Sequence, residues 1–194
     1  MISRGKSIIY LTFSFLCFCS YYIPLIVIGR KALRLNGTGD NVVLSRNMLL
    51  NRLADWYQSV AIFDTPENEQ SYLTMYSMPF LYLIYNFIRL QLLKSTFLEE
   101  ISSREADHSN QVIEQVIKSA DAISTTIRMY LKYNPNLLHL TMLMKYCVLF
   151  AGAFHCAHIG LLPTPDGITK KITILSDHVK FLEIFGLVYP QCLL

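Results

Sequence analysis

Apolar residues recur along this chain at three- and four-residue spacing, and strand-like alternation is absent over any useful length. That periodicity predicts an all-α fold. A turn-rich loop is expected at Leu35–Asn41. A helix should follow, with Ser45 available as its cap and Leu49, Leu50, Leu53, Trp56, Tyr57 and Val60 along one side. The single Trp is expected to anchor a core. Asp64–Gln70 is a polar, acidic break. Tyr72–Phe97 predicts the next helix, kinked at Pro79 or beginning near it. Asn86, Arg89, Gln91 and Lys94 are assigned to its polar face. Glu99–Asn110 reads as a solvated loop, with Glu99 and Glu100 at a helix end.

The cleanest amphipathic pattern spans Gln111–Lys132. Ile113, Val116, Ile117, Ala120, Ile123, Ile127, Tyr130 and Leu131 form the apolar stripe, and Glu114, Lys118, Asp121, Ser124 and Arg128 are assigned to the surface. Asn134-Pro135 should end it. Leu137–Leu162 lies between two prolines and carries Lys145 as its one formal charge, the pattern of a central buried helix or of a membrane span. Pro163–Gly167 is expected to be a loop, and Ile172–Val188 a last helix of mixed polarity.

The N-terminal run Ser7–Ile28 is long enough to cross a bilayer, which takes about 20 residues. Asn36-Gly37-Thr38 would then be a glycosylation acceptor beyond it. Against a span stand Ser14, Ser20, three tyrosines and Pro24 within the run, and cations on both flanks. A helix buried in an all-α domain has the same composition. A cleaved signal peptide fits poorly, because no small-residue cleavage site is evident.

Composition narrows the functional classes. Mean hydropathy is +0.35, 16% of residues are charged, and the net charge of +3 is dispersed, with no basic run longer than two. Nothing here declares nucleic-acid binding. Cys17, Cys19, Cys147, Cys156 and Cys192 are odd in number and irregularly spaced, which suits reduced thiols packed as small hydrophobes rather than a disulfide framework. No phosphate loop or nucleophile elbow is present. His155-Cys156-Ala157-His158, with Cys147 two turns earlier, is the one constellation that suggests a metal. It lacks a nearby carboxylate, so packing is the preferred reading. Cys17-Phe18-Cys19 has neither zinc nor redox spacing. No catalytic, cofactor-binding or metal residue is assigned, and an enzyme is not expected.

Four segments resemble the fungal-specific transcription factor domain of zinc-cluster regulators: Leu49–Tyr57, with leucines leading to a Trp; Met78–Asn86; Ala120–Ser124; and Ala151–His155. The resemblance covers most of the chain after residue 44 and rests on spacing and residue type. It implies an irregular multi-helix array, incomplete at its N-terminus. Residues 1–34 would form an apolar helix or membrane anchor, and residues 35–194 a helical regulatory-type domain. It further implies a nuclear protein of transcription regulation that works through protein partners or self-association. The family's Cys before the small-residue helix is absent, with Ser119 nearby. Its six-cysteine zinc cluster, basic linker and coiled coil are absent as well, so no DNA-binding residue carries over and no direct specific DNA binding is expected. The competing expectation is an integral membrane protein with one to three spans.

Overall fold

The computed structural model describes residues 20–35, 39–61, 72–102, 111–133, 142–162 and 164–188. These form six helices and no strand, so the protein is all-α. α1 is helical over residues 20–32. α2 is Asp40–Ala61, α3 Tyr72–Ser102, α4 Gln111–Tyr133, α5 Met142–Ile159 and α6 Pro165–Val188. The chain divides into two compact units, Met1–Ile88 and Arg89–Leu194. Several expectations concern segments outside the described residues: Ser7–Cys19, the Asn36–Thr38 sequon, Asp64–Gln70, Ser103–Asn110, Asn134–Thr141 and Cys192.

Helix boundaries depart from expectation where capping chemistry overrides turn chemistry. α2 begins at Asp40, not near Ser45. The Gly39 carbonyl accepts from the amides of Val42 and Val43 at 2.8 and 3.1 Å, and Asp40 places a negative charge in the first turn. Ser45 is interior. α6 likewise begins at Pro165, inside the expected loop. Thr164 Oγ1 accepts from the Gly167 amide at 3.3 Å, Pro165 takes the first helical position and Asp166 complements the dipole. α3 runs on through Glu99–Ser102, and Pro79 lies in its interior rather than its first turn.

The first unit packs around aromatic rings. On α1, Leu25, Ile28, Gly29 and Ala32 are buried while Ile23, Ile26 and Val27 are exposed, so this segment is amphipathic. A Cβ on Gly29 would lie 2.9 Å from Ile88 Cδ1, which shows how closely α1 approaches α3. α2 buries Leu49, Leu53, Trp56 and Val60, at spacings of four, three and four. Trp56 is 6% exposed, stacks on Tyr85 with ring centroids 5.8 Å apart, and donates its indole N–H to the Tyr21 carbonyl at 2.8 Å. Asn86, expected on a polar face, is buried. Its amide donates to the Tyr82 carbonyl of its own helix at 2.8 Å, which offsets part of the cost of burying it.

In the second unit, α4, α5 and α6 pack against one another. α4 buries Ile113, Val116, Ile117, Ala120, Ile123 and Ile127, as its periodicity predicts. Each fully buried Ile or Val stabilises by about 1.5–3 kcal/mol relative to exposure. α5 buries one face only, through Met144, Cys147, Val148, Ala151, Phe154 and His155. Met142, Tyr146 and Leu149 are exposed, so α5 is not enclosed on all sides. Phe97 of α3 meets Phe154 edge-on, with centroids 5.0 Å apart.

Candidate functional site

A buried polar centre joins the last three helices. Ser124 of α4 lies between His155 of α5 and His178 of α6, its Oγ 3.0 Å from His155 Nε2 and 2.8 Å from His178 Nε2. All three are buried, His155 completely. Ser124 also donates to the Ala120 carbonyl one turn back, at 2.8 Å. A hydroxyl has one proton and two acceptor sites. With the proton directed at Ala120, both histidines donate to Oγ, and each ring is the Nε2–H tautomer. Their Nδ1 atoms are then lone-pair acceptors, and neither has a hydrogen-bond partner.

The helices bring these rings together for local reasons. Ser124 shares the α4 stripe with Ile117, Ala120 and Ile127, at spacings of three, four and three. His178 is in phase with Phe181 and Phe185, both buried. Gly152 lets α6 approach, since a Cβ there would lie 3.2 Å from His178 Nδ1. The assignment of Ser124 to the surface is therefore overturned. A small hydroxyl can join an apolar stripe when the helix backbone and two imidazoles satisfy it.

Charges flank this centre. Lys171 is mostly buried and donates to Asp121 Oδ1 at 2.7 Å. The same oxygen lies 3.8 Å from His155 Nε2. Arg128 donates through Nε and Nη2 to Asp177 Oδ2 at 3.0 and 2.8 Å, on a more exposed face. Burial, reinforced by the Lys171 charge, lowers the His155 pKa to about 4; Asp121 opposes this incompletely. Burial also lowers that of His178, with Asp177 opposing and Arg128 adding to the shift. His155 is thus neutral at neutral pH, and its contact with Asp121 is not an ion pair.

This constellation differs from a Ser–His–Asp triad in its connectivity. A triad's carboxylate holds the imidazole nitrogen remote from the serine. Here Asp121 approaches the nitrogen that already faces Ser124, and both remote nitrogens are unpartnered. The Ser124 hydroxyl has no acceptor or donor capacity left for a substrate.

The metal candidate of the sequence does not assemble. Cys147 and His155 are buried, Cys156 is exposed, and His158 is part-buried. Among the described residues no three His, Cys, Asp or Glu side chains converge on a point suited to a metal ion. Exposure of Cys156 also corrects its expected packing as a core hydrophobe. Burial pushes the Cys147 thiol above its ordinary range, which makes it a poor nucleophile.

Beside the polar centre lies an open pocket of about 340 Å³. Asp121, Ser124, Thr125 and Arg128 of α4 line one wall, and Gly167, Lys170, Lys171 and Ile174 of α6 the other. No protein-family model matches this chain, nor does any curated protein or solved structure. Function must therefore be argued from the residues themselves.

Sequence reasoning singled out His155 but missed its partners. The signal was available in helical phase: Ser124 falls on the α4 stripe, and His178 three residues before Phe181. Spacing shows that each is turned inward, but not that they meet.

Proposed function

We propose that this chain is a helical regulatory and interaction module of a transcriptional regulator, of the type its four family-like segments suggest. It acts through protein partners rather than by binding DNA or by catalysis. The observation that carries this reading is the Ser124–His155–His178 centre, whose serine hydroxyl is wholly engaged in holding three helices together. Such a centre specifies packing and leaves no nucleophile. The resemblance supports the transcriptional part, because Trp56, Ser124, Gly152 and His155 fall within or beside the quoted segments and all serve packing. Exposed Met142, Tyr146 and Leu149 offer apolar contacts to a partner or a second copy.

Tethering the full chain to a heterologous DNA-binding domain at a reporter promoter tests this reading. Changed reporter output, with the tagged native chain in the nucleus, is expected. An inert tether together with exclusion from the nucleus would overturn it. A native transcript encoding six clustered cysteines upstream would add support.

One observation favours a membrane protein as the second reading. α5 has the length and apolarity of a span, and only 33% of it is buried. Against this, its neighbour α4 carries Glu114, Lys118, Asp121 and Arg128, and ionised groups in a bilayer cost at least about 2.5–3.5 kcal/mol each. Carbonate extraction separates the two: the regulatory reading expects release, and the membrane reading retention.

A further inference from the structure

The pocket between α4 and α6 has donors that the fold does not use. Lys170 and Thr125 are both exposed, and among the described residues neither side chain makes a hydrogen bond or ion pair. Arg128 binds Asp177 through Nε and Nη2, leaving Nη1 free. Lys171 gives one of its three N–H bonds to Asp121. Leu162 and Ile174 supply apolar wall. Two of the three lining cations are thus paired, Lys171 with Asp121 and Arg128 with Asp177, while Lys170, one turn after Asp166 on α6, makes no ion pair among the described residues.

We propose that this pocket binds a small organic carboxylate, its head taken by Lys170, Thr125 and the free Arg128 nitrogen and its apolar body laid against Leu162 and Ile174. With one lining cation outside an ion pair, a monoanion is favoured. A phosphate dianion would bring a second negative charge near Asp121 and Asp177 with no cation left to meet it. The volume, near the lower end of the roughly 300–1,000 Å³ usual for ligand pockets, selects a small molecule. The apolar walls favour a short hydrocarbon body over a bare anion. Ser124 lines the pocket and holds both imidazoles, so occupancy should reach their environment. This assignment stands apart from the transcriptional reading and holds whether or not the chain regulates a promoter.

The test is titration of the full chain with sodium hexanoate, following the His155 and His178 imidazole resonances by NMR. Trp56 fluorescence, from the other compact unit, serves as the internal blank. Saturable shifts of both rings with unchanged Trp56 emission are expected. Hexanol and inorganic phosphate should each bind more weakly than hexanoate. Lys170→Glu should weaken hexanoate at least about tenfold, the loss of one charge-assisted contact. Lys170 is exposed and unpartnered, so the variant should fold, and an unchanged CD melt would verify that. Absence of a saturable shift would overturn the proposal. Equal binding of hexanol, tighter binding of phosphate, or a Lys170→Glu variant that binds as before would each do the same.

Discussion

The two compact units of this protein solve core packing by different means. The first relies on aromatic contact: Trp56 on Tyr85, Tyr57 against Tyr82 and Tyr85, and Tyr22 near Phe80. A polar tie joins the Trp56 indole to the Tyr21 carbonyl there. The second places a neutral Ser–His–His centre among Ile, Val and Phe side chains. Apolar contacts tolerate small shifts, whereas a buried donor must keep its acceptor or lose about 1–3 kcal/mol. The second unit should therefore be the more sensitive to chemistry and pH, and the first to lost volume.

The largest expected effect tests the aromatic side. Trp56→Ala should destabilise by about 3–5 kcal/mol in denaturant melts followed by CD, from the volume of a buried Trp. Trp56→Phe should recover most of that and lose mainly the indole hydrogen bond. Equal costs would mean that the hydrogen bond, not volume, dominates, and the contrast between the units would fail.

Ser124→Ala addresses the polar side. It removes only one oxygen but strands two imidazole N–H donors, each costing roughly 1–3 kcal/mol, so about 2–6 kcal/mol should be lost. A cost below about 1 kcal/mol would show that the rings find other partners.

A pH series sharpens the contrast further. The folded-state His155 pKa is about 4, below the unfolded value near 6.5. Between those values the unfolded chain binds the extra proton, so stability falls as pH drops from about 6.5 towards 4. At neutral pH and above the histidine makes no difference through this linkage. At pH 5 the loss from His155 should be on the order of 2 kcal/mol, and His178 adds in the same direction. His155→Gln should reduce the dependence, leaving the His178 part, in denaturant midpoints measured at pH 7.5 and pH 5.

Arg128→Ala tests a surface pair, 54% exposed on the arginine side, and should cost less than about 1 kcal/mol. The two close-approach glycines give the finest comparison. At Gly29 an added methyl would lie 2.9 Å from Ile88 Cδ1 and 3.1 Å from its Cγ1, and Ile88 is buried and stiff at χ1. At Gly152 it meets His178, pinned to Ser124 at 2.8 Å. Relief of helical glycine is worth roughly 0.5–1 kcal/mol in both. Gly29→Ala, at the tighter site, should come out the more destabilising of the two and Gly152→Ala nearer to neutral, read from paired thermal melts.

Helix existence was legible throughout the described chain because a 3.6-residue period needs only local order. Trp56 as an anchor and the α4 stripe follow from it directly. Boundaries were less legible where one residue type serves two ends: Thr164-Pro165-Asp166-Gly167 suits a turn and a helix start equally, and the capping bond to Thr164 decides between them. Asn86 and Ser124 were assigned by polarity, which fails when a helix carbonyl within one turn can accept the proton.

By itself, the sequence determined the helical class and the apolar stripe of α4, because each is a property of residues close together along the chain. Only the tertiary structure decided that Ser124, His155 and His178 form one centre, that Asp121 faces the wrong nitrogen for a triad, and that Lys170 makes no ion pair among the described residues. Ser124 and His178 alone are 54 positions apart. Their meeting depends on how three helices cross, with Gly152 permitting the close approach, and a periodic pattern specifies a face without specifying what will lie against it.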